Sequence, residues 1–230
     1  MRIWRALFGS GEVGEGIQKL HERKYEEAIR LFNRALDRDP SDWEAWFHRG
    51  IAYLESGRPD EAIRDFTESL RWREGVEGYY NRAMAWLEKG DLERALADLD
   101  AALRLDPEDA EAWNMRAIVE AERGNYERAL RDIERAIELG HPSGFVNRAN
   151  ILERAGRLRE ALASLDRAIA DRPGDPLILA KRGLLRERLG DPEGARRDLR
   201  EAWRRRRELE EEGREALLAQ VEEALRRLGG

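Results

Sequence analysis

Two sets of residues in this 230-residue chain have types and spacings that chemistry could use. The first is a series of arginines, Arg49, Arg82, Arg116, Arg148 and Arg182, followed sixteen residues later by Asp65, Asp98, Asp132, Ser164 and Asp198. A guanidinium and a carboxylate held at fixed spacing can form a two-pronged ion pair. The other use of such a series is an arginine ladder that binds acidic ligands. The aspartates accompany the arginines, and the start of the chain lacks both, with Glu15 and Leu31 in their places. Pairing is therefore the reading adopted. The second set is the three histidines, His21, His48 and His141, which stand far apart and show no His-Glu-x-x-His metal spacing. His48 reads as a hydrogen-bonded structural histidine.

Little else offers chemistry. There is no cysteine, so no thiolate nucleophile, disulfide or cysteine metal site is available. Gly9, Ser10, Gly11 and Gly14 follow no strand and read as a linker. Carboxylates are abundant and solvated, so pairs of them carry no weight as acid–base catalysts. We expect no enzyme, no catalytic residue, no metal site and no cofactor.

The elements that position the arginines recur with a long period. Ala28, Ala62, Ala95, Ala129, Ala161 and Ala195 lie 34, 33, 34, 32 and 34 residues apart. A small residue precedes each: Gly16, Gly50, Ala83, Ala117, Ala149 and Gly183. Four residues after each alanine comes a large apolar one, Phe32, Phe66, Leu99, Ile133, Leu165 or Leu199, and seven after it another small one. Those spacings mark one face of a helix, and small residues on it let a second helix approach closely. Gly57, Gly90, Gly124, Gly156 and Gly190 separate the two helices of each unit. Asp91 and Asp191 follow such glycines and can cap the second helix. The paired arginine and aspartate thus fall on the two antiparallel helices of one unit.

These frames resemble the tetratricopeptide repeat. Trp46-Phe47-His48-Arg49-Gly50 with Tyr53, Ala62 and Phe66, and Trp113 with Ala117, Ala129 and Ala136, carry the resemblance most clearly. Arginine replaces the leucine common in that family before the small residue. We read six repeats, 9–42, 43–75, 76–109, 110–141, 142–175 and 176–209, followed by a C-terminal capping helix over 210–230. The fold class expected is an all-α, right-handed α-solenoid. The first repeat departs from the pattern at Glu12, where later repeats carry an aromatic residue, and at Arg23, where they carry glycine. Terminal repeats are often atypical because one side faces water. Leu217, Leu218, Val221, Leu225 and Leu228 form the apolar side of the capping segment, with docking on a partner as the alternative.

The resemblance implies a concave groove lined by the first helices, and a protein–protein interaction scaffold or adaptor that binds a peptide or amphipathic helix there. Mapped onto this sequence, the groove residues are Phe47, Ile51, Tyr80, Asn81, Met84, Asn114, Ile118, Asn147, Asn150 and Lys181. Phe47, Ile51, Tyr80, Met84 and Ile118 make an apolar strip suited to apolar side chains of a ligand. The asparagines can hydrogen-bond a bound backbone. The rim changes sign, from Glu44, Glu77 and Glu111 to Arg154, Lys181 and Arg188. The carboxylate clamp by which chaperone-binding members grip a C-terminus is not reproduced: the matching places are Phe47, Ile51, Asn81, Glu111 and Met115. The alternative is a regulatory or assembly subunit acting through its convex face or termini, including at a membrane surface.

Composition agrees. The net charge is −6, which disfavours nucleic acid as a partner. The run Arg204–Arg207 is followed by Glu208, Glu210, Glu211 and Glu212, which reads as helix-face ion pairing. No apolar run reaches the ~20 residues that span a bilayer, and no secretory signal is visible, so a cytoplasmic location is expected. Residues 1–8, Met-Arg-Ile-Trp-Arg-Ala-Leu-Phe, are basic and apolar. Three roles stay open for them: a cap on the first repeat, weak membrane attachment, or insertion into a groove of a partner or of another copy in a homo-oligomer.

Overall fold

The structure is a computed structural model and describes residues 11–229. The readings of residues 1–8 as cap, membrane contact or groove ligand lie outside the described residues. Among those described there are fourteen helices and no strand. They are α1 (Gly11–His21), α2 (Tyr25–Arg38), α3 (Trp43–Glu55), α4 (Pro59–Trp72), α5 (Val76–Glu88), α6 (Leu92–Leu105) and α7 (Ala110–Glu122). There follow α8 (Tyr126–Glu138), α9 (Gly144–Arg154), α10 (Leu158–Asp171), α11 (Pro176–Arg188), α12 (Pro192–Arg204), α13 (Arg206–Glu211) and α14 (Glu215–Arg227). The chain forms two compact parts, divided after Arg123, between the two helices of the fourth repeat.

The periodic alanines explain how the helices pair. Ala28, Ala62, Ala95, Ala129, Ala161 and Ala195 are all 0% exposed, and so are Phe32, Phe66, Leu99, Ile133, Leu165 and Leu199. Phe32, Phe66 and Leu199 fill the space left by Gly16, Gly50 and Gly183 of the facing first helices. The fit leaves no room for a side chain on those glycines. A Cβ on Gly50 would lie 2.7 Å from the Phe66 ring, and one on Gly16 would lie 2.5 Å from Phe32. Repeats that carry alanine there use Leu99, Ile133 or Leu165 instead of phenylalanine.

The turn inside each repeat needs a left-handed residue. Gly57, Gly90, Gly124, Gly156 and Gly190 take φ between 73° and 83°, a region open to glycine without cost. Arg23 stands in that place in the first repeat and adopts φ 57°, alone among described residues other than glycine. Asp91 caps α6 through the Arg94 amide at 3.1 Å, and Asp191 caps α12 through the Gly194 amide at 2.9 Å. Both fulfil the expectation from sequence. Asp42, Asp109 and Asp175 cap the first helices α3, α7 and α11 in the same way.

The capping segment differs from the single helix expected. Gly213 adopts φ 68° and splits it into α13 and α14. Arg214 closes the break by donating its backbone N–H to the Leu209 carbonyl at 2.9 Å. The apolar side lands where the leucine spacing put it. Leu218, Val221 and Ala224 are buried, and Val221 and Ala224 share a core with Leu179, Ala195 and Leu199 of the sixth repeat.

Candidate functional site: the faces of the first helices

In the N-terminal part, α3, α5 and α7 carry seven of the residues expected to bind a ligand. Phe47 and Ile51 are half-buried and pack on the core of Ala62, Ile63 and Phe66. The Phe47 ring lies 5.8 Å from that of Phe66 and 5.2 Å from that of His48. Tyr80 is also half-buried, against Leu99 and Leu103, and its hydroxyl donates to Glu111 at 3.2 Å. Burial, reinforced by Glu111, raises its pKa well above the ordinary phenol value. Asn81 donates to the carbonyl of Glu77 at 2.8 Å, on its own helix. Asn114 is 4% exposed, which leaves it little surface for a ligand. Ile118 is half-buried.

Met84 lies differently. With Leu54, Leu87 and Met115 it floors an open, mainly apolar recess of about 390 Å³, bordered by Glu55 and Glu88. A smaller recess of about 210 Å³ is lined by Trp43, Phe47, His48, Arg73 and Glu77, with Arg73 stacked 4.2 Å from the Trp43 ring centre. Burial drives the His48 pKa down to about 4, the neighbouring His21 adds to this, and Asp42 opposes it. His48 is therefore neutral near pH 7, between Phe47 and Phe32. Burial also raises the Glu44 carboxyl, with Asp42 adding and Arg73 opposing.

In the C-terminal part, Lys181 donates to the Asn150 side-chain carbonyl at 2.9 Å, and burial lowers its pKa. Lys181 borders a recess of about 290 Å³ together with Glu153, Leu184, Glu187 and Arg227. Its charges are largely spent internally: Arg188 pairs with Glu153 at 2.7 Å and Arg227 with Glu187 at 2.9 Å. Asn147 is half-buried on α9.

The arginine series is paired. Arg49 donates to both oxygens of Asp65 at 2.6 and 2.9 Å, Arg82 to both of Asp98 at 2.8 and 2.7 Å, and Arg182 to both of Asp198 at 2.8 Å each. Arg148 donates to the Ser164 hydroxyl at 2.7 Å. These guanidinium groups are committed to structure, which removes them as a ladder for acidic ligands. Sequence reasoning missed their third contact. Arg49 also donates to Asn33 at 2.6 Å, Arg82 to Thr67 at 3.0 Å, Arg116 to Asp100 at 2.7 Å and Arg182 to Asp166 at 2.9 Å. Each acceptor belongs to the second helix of the preceding repeat, so one side chain ties two repeats. The signal was present: Thr67, Asp100 and Asp166 stand two residues after Asp65, Asp98 and Ser164, and Asn33 stands two after Leu31, the equivalent position of the first repeat. Arg49 and Arg116 also cover the rings of Trp46 and Trp113 at 4.6 and 4.4 Å.

Among the described residues, no helix is long and apolar enough to cross a membrane, and no group of three His, Asp or Glu side chains could hold a metal ion.

Known proteins share this frame. Over 63 residues the chain is 33% identical to the human Superkiller complex protein 3, covering 27% of this chain and 4% of that protein. It thus spans only a small share of such curated relatives. A tetratricopeptide repeat protein from Parabacteroides merdae superimposes with a TM-score of 0.72 at 18% identity, covering 96% of this chain and 98% of the other. YrrB, described as a TPR protein with an unusual peptide-binding site, superimposes with a TM-score of 0.60 at 23% identity, covering 76% of this chain and 94% of its own. These likenesses show an all-α solenoid fold. Tetratricopeptide repeat family models match residues 13–75, 81–148 and 146–209, and the chain belongs to that family.

Proposed function

We propose that this protein is a non-enzymatic scaffold or adaptor that holds a peptide or an amphipathic helix against its first helices. Tetratricopeptide repeats generally serve protein–protein interaction, and YrrB is a relative in fold with a peptide-binding site. The observation that carries the reading is the recess over Leu54, Met84, Leu87 and Met115. Four large apolar side chains there are only half-buried. Contiguous apolar surface of this kind marks a contact site. Phe47, Ile51 and Tyr80 pack on the cores of the same first helices, Asn81 donates within its own helix, and Asn150 with Lys181 forms a polar contact in the C-terminal part.

The test is affinity capture from a lysate of the source organism, with the wild-type chain beside Met84→Glu. Met84 is chosen because Phe47 and Tyr80 also serve the core. A partner lost with the variant, at unchanged helicity, supports the groove. Partners retained by both move the site elsewhere. One observation favours the convex face as the second reading: Trp72 and Leu105 end successive second helices and are 55% and 46% exposed.

A further inference from the structure

The recess over Met84 has a charge as well as an apolar floor. Glu55 and Glu88 stand one repeat apart on its border, both exposed. Neither has an ion-pair partner among the described residues. The cations at the following turns are already committed elsewhere. Arg58 pairs with Glu61 at 2.8 Å, Lys89 with Asp60, and Arg123 with Glu93 at 3.3 Å. Arg49 and Arg82 are held by Asp65 and Asp98. The recess therefore combines an apolar floor with uncompensated negative charge. In the C-terminal part the corresponding positions are Arg154 and Arg188, so the acidic border belongs to the earlier repeats.

We propose that this recess takes a peptide segment in which large apolar side chains alternate with arginine or lysine. The inference rests on the groove reading above and names the chemistry of its ligand. Apolar side chains of the segment enter between Leu54, Met84, Leu87 and Met115, where two flexible thioethers adapt to their shape. Its cations face Glu55 and Glu88, which orient the segment and speed its capture. A segment with acidic flanks meets two like charges and is rejected. The first eight residues of this chain have the required composition, with Arg2 and Arg5 among Ile3, Trp4, Leu7 and Phe8.

The test is fluorescence anisotropy with a labelled synthetic peptide of residues 1–8 and a second peptide in which Arg2 and Arg5 are replaced by glutamate. Each is titrated with the full chain, with a Glu55→Lys/Glu88→Lys chain and with Met84→Glu. The inference expects the basic peptide to bind the wild type, and to lose about tenfold or more in affinity on the lysine variant. It expects the acidic peptide to show the reverse preference. A basic peptide that binds the wild type and the lysine variant equally, yet is lost with Met84→Glu, overturns the charge preference and leaves the groove reading standing. Equal binding to all three chains places this peptide elsewhere and overturns the inference. No binding to the wild type overturns the inference alone, because the capture experiment tests the groove separately.

Discussion

Arg82 and Asp98 lie on the antiparallel helices α5 and α6 and are joined by two parallel hydrogen bonds of 2.8 and 2.7 Å, while the remaining arm of the guanidinium reaches Thr67 on α4. Their side chains are 19% and 8% exposed. Removing one partner leaves the other charge desolvated. Asp98→Ala and Arg82→Ala should each lower stability by about 3 kcal/mol. The double variant should cost clearly less than the sum of the two, as chemical denaturation of all four chains will measure. Additive losses would mean that the two groups do not act as a pair.

Arg23 occupies a backbone region that an L side chain enters at a cost. Arg23→Gly should raise stability by about 1 kcal/mol. The gain is reduced by whatever the weak stacking of Arg23 on Tyr25, at 6.0 Å, contributes. The comparison is one of denaturation midpoints, and an unchanged or lower midpoint would contradict it.

His48 links stability to acidity. Its pKa in the fold is about 4, below the ordinary 6.5. Between those values the unfolded chain binds a proton that the folded chain refuses, so stability falls as the pH drops from 6.5 towards 4. The full shift corresponds to about 3 kcal/mol. His48→Gln should lose less stability than the wild type across that window, by up to this amount, in denaturation curves at pH 7 and pH 4.5. Parallel curves for the two proteins would contradict the assignment.

Gly50 faces Phe66 at a distance that admits no methyl group. Gly50→Ala should destabilise by about 1–3 kcal/mol, because the ring must leave its place. Adding Phe66→Leu should recover part of the loss, since Ala83 and Leu99 already form that combination one repeat later. Thermal melting of the single and double variants decides this, and no recovery would mean that the strain lies elsewhere.

The fold was legible because its signals repeat. One alanine at a helical spacing says little, but six of them in register with Phe32, Phe66, Leu99, Ile133, Leu165 and Leu199 specify the same pairing each time. The Arg–Asp spacing was legible for the same reason. What stayed hidden needed distance in space rather than along the chain. Asn33, Thr67 and Asp100 keep a fixed offset but vary in type, so no shared residue type marked them as one series of acceptors. The split at Gly213 was missed because the apolar residues that marked the helix, Leu217 to Leu228, all lie on one side of it. At the candidate site the sequence named Met84 but not Leu87, although Leu87 repeats Leu54 one repeat on. Asn114 fitted the groove by position, and its burial depends on packing that spacing does not report.

The arginines that reach backward change how the array can come apart. Opening the second repeat pulls Arg49 away from Asn33 as well as from Asp65, and opening the third strips Arg82 from Thr67 in the second. Separation at either of these joints leaves a polar acceptor without its guanidinium on a neighbour that is still folded. Stacked repeats in general can fray one at a time, because each touches only the next. Here fraying is penalised at every joint so stapled, and within each compact part the repeats should exchange their amide hydrogens in blocks rather than singly. The ligand surface proposed above would gain from this, because the repeats beneath it open together or stay closed.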